Sequence, residues 1–328
     1  MSVTLSPVGL GTAQLGNLYQ ETTDEEARAT VDAAWDGGVR YFDTAPHYGL
    51  GRAERRLGAA LRDRPRDDYV LSTKVGRLLV PAPELAGQQD EDFAVPADLR
   101  REWDFSRDGV LRSIEESLER LGLDRLDVVY VHDPDDHWEQ ASAEAVPALV
   151  ELREQGVVRA VGVGMNQSEM LARFVRETDV DLVMCAGRYT LLEQGALAEL
   201  MPAALEKGVG VVAAAVYNSG LLANPRPGAD ANYNYAPAPP EVLDKATRIA
   251  DICERHGVEL PTVALAFVRA HPAVVSTVVG ARGADQVRAA IERSRTAVPV
   301  ELWEDLRTDW LIDPMAPVPH LTFPEVTL

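Results

Sequence analysis

The sequence predicts an α/β fold in which eight parallel strands close into a (β/α)8 barrel, the TIM-barrel architecture. Short apolar runs rich in β-branched residues alternate with longer amphipathic segments along the 328-residue chain. Nearly continuous apolar runs are typical of parallel strands covered on both faces, and their alternation with helical segments indicates repeated βα units. A single barrel commonly has about 250 residues and can exceed roughly 400, so we expect residues 1–328 to form one barrel domain.

Helical segments lie between the predicted strands. Thr23 is an expected N-cap, because acidic residues follow it in the first turn of the next segment. Gly156, Gly208 and Gly257 lie where later helices are expected to end. A doubly wound sheet is the competing arrangement, but the strand count and the motifs described below favour a barrel. The predicted strands are residues 8–11, 39–43, 69–73, 126–132, 157–164, 181–185, 209–216 and 274–280, and the predicted helices include 24–35, 106–121, 140–154, 196–206 and 240–256.

Three segments are too long and too irregular to be simple connections: residues 76–103, 217–240 and 313–328. The first two follow the third and seventh predicted strands, so they would rise from the C-terminal face of a barrel. Enzymes with this fold keep their active sites at that face, and long loops in compact domains are usually functional or disordered. We therefore expect long loops around a site there, with disordered surface insertions as the alternative.

The composition limits the partners that this protein can have. With 32 basic and 52 acidic residues, the net charge of −20 disfavours nucleic acid and anionic membranes. Two cysteines cannot form a disulfide framework, and neither a secretory signal nor a long apolar run is evident. We therefore expect a cytoplasmic protein that acts on a small molecule without contacting a membrane, and the oligomeric state stays open.

Four polar side chains fall at the C-terminal ends of three successive predicted strands. Asp43 ends the second strand, Tyr48 lies in the loop after it, Lys74 follows the third strand and His132 ends the fourth. Each residue alone has a structural interpretation: a turn cap, a core tyrosine, a lysine that extends to water and a hydrogen-bonded histidine. Because strand ends meet at one face of a barrel, we expect the four side chains to converge on one pocket.

The residues around these four positions resemble a known family. Residues 38–58, which contain Asp43 and Tyr48, resemble the first signature of the aldo-keto reductases, and Lys74 and His132 match the rest of that family's catalytic tetrad. Residues 9–12 and 162–166 resemble its cofactor segments. The resemblance covers nearly the whole chain and implies an oxidoreductase that transfers hydride to or from a nicotinamide cofactor.

Further segments indicate a branch of the family. Residues 104–123, 132–135 and 186–194 resemble the branch that contains L-fucose dehydrogenase (D-threo-aldose 1-dehydrogenase) and pyridoxal 4-dehydrogenase. Both activities oxidise a cyclic hemiacetal to a lactone, so the resemblance implies an aldose or lactol dehydrogenase. The alternatives are a general aldehyde or ketone reductase, a pyridoxal 4-dehydrogenase, and a regulatory protein similar to the β-subunits of potassium channels.

The tetrad that the resemblance implies also makes chemical sense. A phenol with a pKa near 10 transfers protons poorly at neutral pH, and a nearby ammonium lowers that pKa by stabilising the phenolate. We therefore expect Tyr48 to be the general acid or base, Lys74 to lower its pKa, and Asp43 to hold Lys74. His132 would position the reacting oxygen by a hydrogen bond.

The same resemblance implies a set of cofactor contacts, with two departures. Ala186 and Ala214 stand where the family usually has a glutamine and a tyrosine against the nicotinamide, and Arg188 or Tyr217 is the expected replacement. The residues implied to bind the cofactor are Gly11, Thr12, Asp43, Asn166, Tyr217, Ser219, Gly220, Leu221, Gly280, Arg282 and Gln286.

One part of this set bears on the choice between NAD and NADP. Family members that favour NADP often have lysine and arginine where this chain has Gly280 and Gln286, which favours NAD. NADP remains an alternative, because Arg282 is able to pair with a 2′-phosphate.

Three further groups of residues need an interpretation. Residues 132–137 include metal-ligand types, but their contiguity and a proline argue against a preformed cage, so we expect no metal site. Cys185 and Cys253 are expected to pack as apolar residues. Trp103 and Trp138 have two equally acceptable interpretations, as lining of the substrate pocket or as caps on the barrel helices.

Overall fold

Eight parallel strands form a closed barrel in the computed structural model, which describes residues 3–234 and 236–319. Each strand pairs in parallel with its neighbour, and β1 closes the barrel against β8. The predicted (β/α)8 barrel is therefore confirmed. The strands are β1 (Val8–Gly11), β2 (Tyr41–Asp43), β3 (Val70–Val75), β4 (Val128–His132), β5 (Ala160–Met165), β6 (Leu182–Ala186), β7 (Gly210–Ala214) and β8 (Val274–Gly280).

The helices surround the barrel and begin with recognisable caps. Thr23 and Glu26 form a capping box at the first helix, with each side chain accepting a hydrogen bond from the other's backbone N–H, at 3.1 and 2.8 Å. The helices are α1 (Asp24–Asp36), α2 (Arg52–Leu61), α3 (Arg107–Leu121), α4 (Val146–Glu154), α5 (Ser168–Glu177), α6 (Leu200–Lys207), α7 (Pro240–Arg255), α8 (Leu260–Arg269), α9 (Ala284–Arg295) and α10 (Val300–Thr308).

Helix α8 lies outside the helices that the sequence pattern indicates. Nine of its ten residues are buried, from Leu260 to Val268, so it lacks the polar stripe that marks an amphipathic helix. The glycine signals are confirmed: Gly156, Gly208 and Gly257 all have left-handed backbone, with φ of 77°, 69° and 68°.

The long connection at residues 76–103 is more regular than expected. Arg77–Pro81 and Leu99–Trp103 pair as an antiparallel two-stranded ribbon, in which Arg77 stands opposite Trp103. The charged residues of the second strand obscure the alternation by which a strand is recognised. Residues 217–240 are mostly turns with a two-residue ladder, Asn232–Tyr233 against Ala236–Pro237. The third segment, 313–328, lies partly outside the described residues.

The core has two layers. The larger lies between the strands and the helices, and the smaller fills the inside of the barrel with side chains that include Tyr41, Tyr130, Met184 and Val212. Leu5, which precedes β1, belongs to the inner layer. In the described part of the chain, no helix is both long and apolar enough to cross a membrane.

Candidate active site

The four predicted residues meet at the C-terminal ends of the barrel strands. Lys74 Nζ donates hydrogen bonds to Asp43 Oδ2 at 2.6 Å and to the Thr44 carbonyl oxygen at 2.9 Å, and both charged side chains are buried. The same ammonium lies 4.8 Å from the centroid of the Tyr48 ring, and that ring lies 6.0 Å from the His132 ring. The expected convergence on one site is present in the structure.

A close backbone contact places Tyr48. The loop after it has left-handed backbone at Gly49 and Gly51, with φ of 61° and 79°. A Cβ at Gly49 would lie 2.1 Å from the Gly16 carbonyl oxygen, and a Cβ at Gly16 would lie 2.7 Å from the Tyr48 carbonyl carbon. Because both positions exclude side chains, the loop packs directly on the turn after β1, and Tyr48 is held between that turn and Lys74.

The electrostatics of the site favour a charged Lys74 beside a neutral Tyr48. Burial disfavours the ammonium, but Asp43 and Tyr48 outweigh it and raise the pKa of Lys74. Burial raises the pKa of Tyr48 to about 12, and Lys74 limits that rise. Lys74 therefore opposes the rise of the Tyr48 pKa, which is the direction expected for its effect. The expected net lowering of the Tyr48 pKa is wrong for the isolated chain, because removing the phenolate from water costs more than the Lys74 ammonium recovers.

Two histidines flank Tyr48, and sequence reasoning singled out only one of them. Burial, followed by the charges of Arg77 and Lys74, lowers the pKa of His132 well below its usual value, so its imidazole is neutral at pH 7. The His47 ring lies 5.8 Å from the His132 ring and 5.9 Å from the Tyr48 ring, and burial lowers its pKa to about 2. His47 Nδ1 is buried without a hydrogen-bond partner among the described residues. The sequence offered one signal for His47 as a site residue, which is its position directly before Tyr48.

The ribbon at residues 77–103 supplies charge and an aromatic surface at the mouth of the barrel. Arg77 forms an ion pair with Asp133, whose Oδ2 lies 3.5 Å from His132 Nε2. The Arg77 guanidinium stands 4.4 Å from the centroid of the Trp103 ring, and Trp103 is 45% exposed. Trp138 instead packs on Phe174 of α5, 4.5 Å between ring centroids. Trp103 is therefore the tryptophan near the site, and Trp138 covers a barrel helix.

The residues implied to bind cofactor along β1, β2 and β5 lie at the rim of the barrel. Gly11 pairs with Asp43 on one side and Gly280 on the other. The Thr12 hydroxyl is buried and donates a hydrogen bond to the Asp43 carbonyl oxygen at 2.9 Å, so it holds two strand ends together. Asn166 is half-buried directly after β5.

The loop after β7 divides into exposed backbone and buried side chains. Ser219 and Gly220 are exposed, with φ of 58° and 94°, whereas Leu221 is buried in the outer core. Tyr217 packs against that same core, and burial raises its pKa to about 12, with Arg293 of α9 opposing the rise. The structure thus brings the backbone of this loop to the rim, while the Tyr217 and Leu221 side chains pack towards the helices.

The two positions that depart from the family pattern lie at the mouth of the barrel. Ala186 and Ala214 both belong to the inner layer of the core, at the ends of β6 and β7. Their methyl groups fill much less volume than the usual glutamine and tyrosine. Arg188, the other expected replacement, donates a hydrogen bond to Asn234 Oδ1 at 3.1 Å and so reaches the 217–240 loop.

The loop after β8 fits a phosphate-bearing cofactor. Helix α9 begins after Gly283 without a side-chain cap among the described residues, which leaves N–H groups of its first turn for an anion. A Cβ at Gly280 would lie 2.7 Å from the Gln14 side-chain amide, and Gln14 Oε1 is buried without a described hydrogen-bond partner. An uncapped helix beside an unpaired buried polar atom suits the dinucleotide that the resemblance implies.

Arg282 is already engaged by the protein. Its guanidinium donates hydrogen bonds to the carbonyl oxygens of Leu18 and Gln20, at 2.7 and 3.0 Å, and to Thr22 Oγ1 at 3.1 Å. Its backbone N–H donates to Gln286 Oε1 at 2.8 Å. Arg282 therefore ties the turn after β8 to the loop after β1.

Neither cysteine is placed for chemistry. Cys185 and Cys253 are buried free thiols, and burial raises the pKa of each to about 12. Across residues 3–234 and 236–319, no group of three or more metal-ligating side chains is clustered. The mouth of the barrel thus brings together a lysine, a tyrosine, two histidines and carboxylate groups.

Comparison with known proteins identifies the class to which this barrel and its site belong. The family model described as the Aldo/keto reductase family matches residues 7–307, and the chain belongs to this family. It is 50% identical over 309 residues to the D-threo-aldose 1-dehydrogenase of a Pseudomonas species, covering 93% of this chain and 94% of that protein.

Two further comparisons agree with this assignment. The pyridoxal 4-dehydrogenase of Microbacterium luteolum is 38% identical over 329 residues, covering 94% of this chain and 95% of that protein. The holo form of an aldo-keto reductase from Bacillus halodurans superposes with a TM-score of 0.74 at 25% identity, covering 97% and 95% of the two chains. The predicted family and branch are confirmed, and the chain is an NAD(P)-dependent oxidoreductase.

Proposed function

We propose that this enzyme oxidises the anomeric hydroxyl of an aldose of the L-fucose or D-threo type to a lactone, with Tyr48 as general base. The observation that carries the proposal is the buried Lys74–Asp43 ion pair beneath the Tyr48 ring. The 50% identity to a D-threo-aldose 1-dehydrogenase supports the substrate class.

The proposed mechanism follows from the protonation states of the site. When bound, a nicotinamide cofactor would supply the acceptor for the hydride of the anomeric carbon. Tyr48 removes the hydroxyl proton of that carbon, so its C–O bond becomes the lactone carbonyl. Lys74, which stays charged, stabilises the Tyr48 phenolate that accepts this proton, and Asp43 holds Lys74 in place. Neutral His132 donates a hydrogen bond to the same substrate oxygen.

We propose NAD rather than NADP as the preferred cofactor. A 2′-phosphate needs cationic partners, and the loop after β8 offers Gly280 and Gln286 where a lysine and an arginine would serve. Arg282 uses three of its donors on the loop after β1, which leaves fewer for a phosphate. The backbone of Ser219 and Gly220 and the N-terminus of α9 are the proposed contacts of the pyrophosphate.

The remaining candidates differ in substrate. The 38% identity to a pyridoxal 4-dehydrogenase supports pyridoxal, which also has a ring hemiacetal. A general aldehyde or ketone reductase would use the same four residues in the reverse direction. Family membership favours an enzyme over a regulatory subunit, because the matched relatives are named as dehydrogenases.

A substrate panel separates these candidates. The purified enzyme is incubated with NAD and L-fucose, L-galactose, D-arabinose or pyridoxal, and separately with NADH and open-chain aldehydes. We expect NADH formation with at least one aldose, together with a lactone detected by mass spectrometry. Turnover of pyridoxal alone would select the pyridoxal dehydrogenase, and turnover of open-chain aldehydes without any lactone would replace the proposal with a general reductase.

A further inference from the structure

A chain of three hydroxyl groups lies beneath Asp43 inside the barrel. Ser72 Oγ lies 2.6 Å from Asp43 Oδ1, the Tyr41 hydroxyl lies 3.0 Å from Ser72 Oγ, and the Tyr130 hydroxyl lies 3.2 Å from that of Tyr41. All three side chains are fully buried. The chain approaches Asp43 from the side opposite to Lys74, which binds Oδ2.

The directions of these hydrogen bonds follow from the acceptor at the end. An ionised carboxylate only accepts, so the single Ser72 proton goes to Asp43 Oδ1. The Tyr41 hydroxyl is then left to donate to Ser72 Oγ, and the Tyr130 hydroxyl to Tyr41. Burial raises the pKa of both tyrosines, so neither loses the proton that it donates.

The barrel is shaped to hold the two phenol rings. A Cβ at Gly9 of β1 would lie 2.6 Å from Tyr41 Cδ1, and a Cβ at Gly162 of β5 would lie 2.6 Å from Tyr130 Cδ1. The strand register puts Ser72 directly beside Asp43 and puts Tyr130 beside Lys74. Two glycines, which the sequence analysis assigned to cofactor segments, thus make the space in which the rings reach each other.

Apolar side chains surround these hydroxyls inside the barrel. Val70, Val128, Leu182 and Val212 belong to the same inner layer, where alanine and phenylalanine would avoid the cost of burying polar groups. Among the described residues, each hydroxyl of the chain has only the next group as its acceptor, and the chain ends at Asp43. Its arrangement therefore serves the orientation of that carboxylate.

We propose that Ser72, supported by Tyr41 and Tyr130, is a positioning residue that fixes the rotation of the Asp43 carboxylate and thereby the place of Lys74 beneath Tyr48. With Oδ1 held by Ser72, the other oxygen faces Lys74 Nζ. Without that hydrogen bond the carboxylate turns and the ammonium follows it, which weakens the stabilisation of the Tyr48 phenolate. The inference rests on the proposed role of Tyr48 as general base.

The test removes one oxygen at a time. Ser72→Ala, Tyr41→Phe and Tyr130→Phe are compared by kcat and KM as functions of pH, by the dissociation constant of NAD and by the thermal midpoint. We expect Ser72→Ala to move the pH profile of kcat upwards by about one unit, which lowers turnover about tenfold at a fixed pH below the transition. Tyr41→Phe should give a smaller shift and Tyr130→Phe the smallest, with the NAD dissociation constant unchanged in all three.

Thr73→Val is the matched control. Thr73 is buried on the same strand, but its hydroxyl faces outwards and donates to Glu54 Oε1 at 2.7 Å. Its loss should lower the thermal midpoint and leave the pH profile unchanged, which separates positioning from general destabilisation. Should Ser72→Ala fail to fold, Tyr41→Phe carries the test, and an unshifted profile in that variant overturns the inference.

The outcomes also separate this inference from the proposed function. A Ser72→Ala profile that superimposes on the wild type, while Tyr48→Phe has lost turnover, overturns the positioning role alone. Turnover that survives Tyr48→Phe overturns the general base and this inference with it.

Discussion

The Tyr48 hydroxyl is the one atom on which the proposed proton transfer depends. Tyr48→Phe removes that oxygen while the ring keeps its packing against His132 and Phe93. General acid–base groups typically contribute about 10²–10⁴-fold to rate, and we expect a loss of that order in kcat. The dissociation constant of NAD, measured by fluorescence titration, should stay within about twofold of wild type. Near wild-type turnover would remove Tyr48 from the mechanism.

Lys74 provides a second test at the residue scale, because its charge lowers the pKa of Tyr48, which burial holds at about 12. Tyr48 must be deprotonated to act as base, so oxidation should accelerate about tenfold per pH unit below that pKa. Without the ammonium the pKa rises further, and the rate at any fixed pH falls accordingly. We expect Lys74→Met to move the profile of kcat/KM to higher pH.

The matched control for that variant is Lys207→Met. Lys207 is exposed in the last turn of α6 and also loses one ammonium on substitution. Its pH profile should match the wild type. Equal profiles for Lys74→Met and Lys207→Met would show that the Lys74 charge has no influence on the titrating group.

At the scale of elements, the contact between the loop after β2 and the turn after β1 places Tyr48. Gly49→Ala forces alanine into positive φ and sets its Cβ 2.1 Å from the Gly16 carbonyl oxygen. We expect a loss of stability larger than the roughly 1 kcal/mol of an unfavourable backbone alone, together with a fall in kcat because the loop must shift. Denaturant midpoints and turnover measure the two effects.

Gly122→Ala is the control for backbone strain without a clash. Gly122 ends α3 with φ of 65°, and a Cβ there meets no described atom within 4 Å. The Gly122→Ala variant should lose only the stability that the unfavourable backbone conformation costs, and it should keep wild-type turnover. If both variants lose equal stability and both keep full activity, the Gly16–Gly49 contact does not position Tyr48.

At the scale of the whole molecule, the net charge of −20 acts on any anionic ligand. NADP carries an additional phosphate, and Gly280 and Gln286 offer it no compensating charge. We expect a lower dissociation constant for NAD than for NADP. Added salt should reduce the difference between the two dissociation constants, since the Debye length falls to about 8 Å at 0.15 M ionic strength. NADP binding about tenfold tighter than NAD would show that Arg282 dominates.

The sequence by itself determined the barrel and the meeting of Asp43, Lys74 and His132. Strands with buried faces show apolar runs, and polar residues at their C-terminal ends must meet at one face once the barrel closes. These inferences need only local periodicity and chain order. The expectation that residues 1–328 form one domain stays a prediction of the same kind.

Contacts between distant loops were decided only by the tertiary structure. Arg77 reaches Asp133 because residues 76–103 fold back as a ribbon, and no local pattern in that charged segment shows it. Helix α8 has no polar face to display a helical period, so its sequence pattern alone does not distinguish it from a buried strand.

The protonation states of the site and the hydrogen bonds that support Asp43 were likewise decided only by the tertiary structure. The Tyr48 pKa depends on how far the ring is removed from water, and the Ser72 hydrogen bond depends on the register between β2 and β3. Sequence reasoning named the residue types that interact. Burial and strand register, which are properties of the folded chain, decided how strongly and through which neighbours they do so.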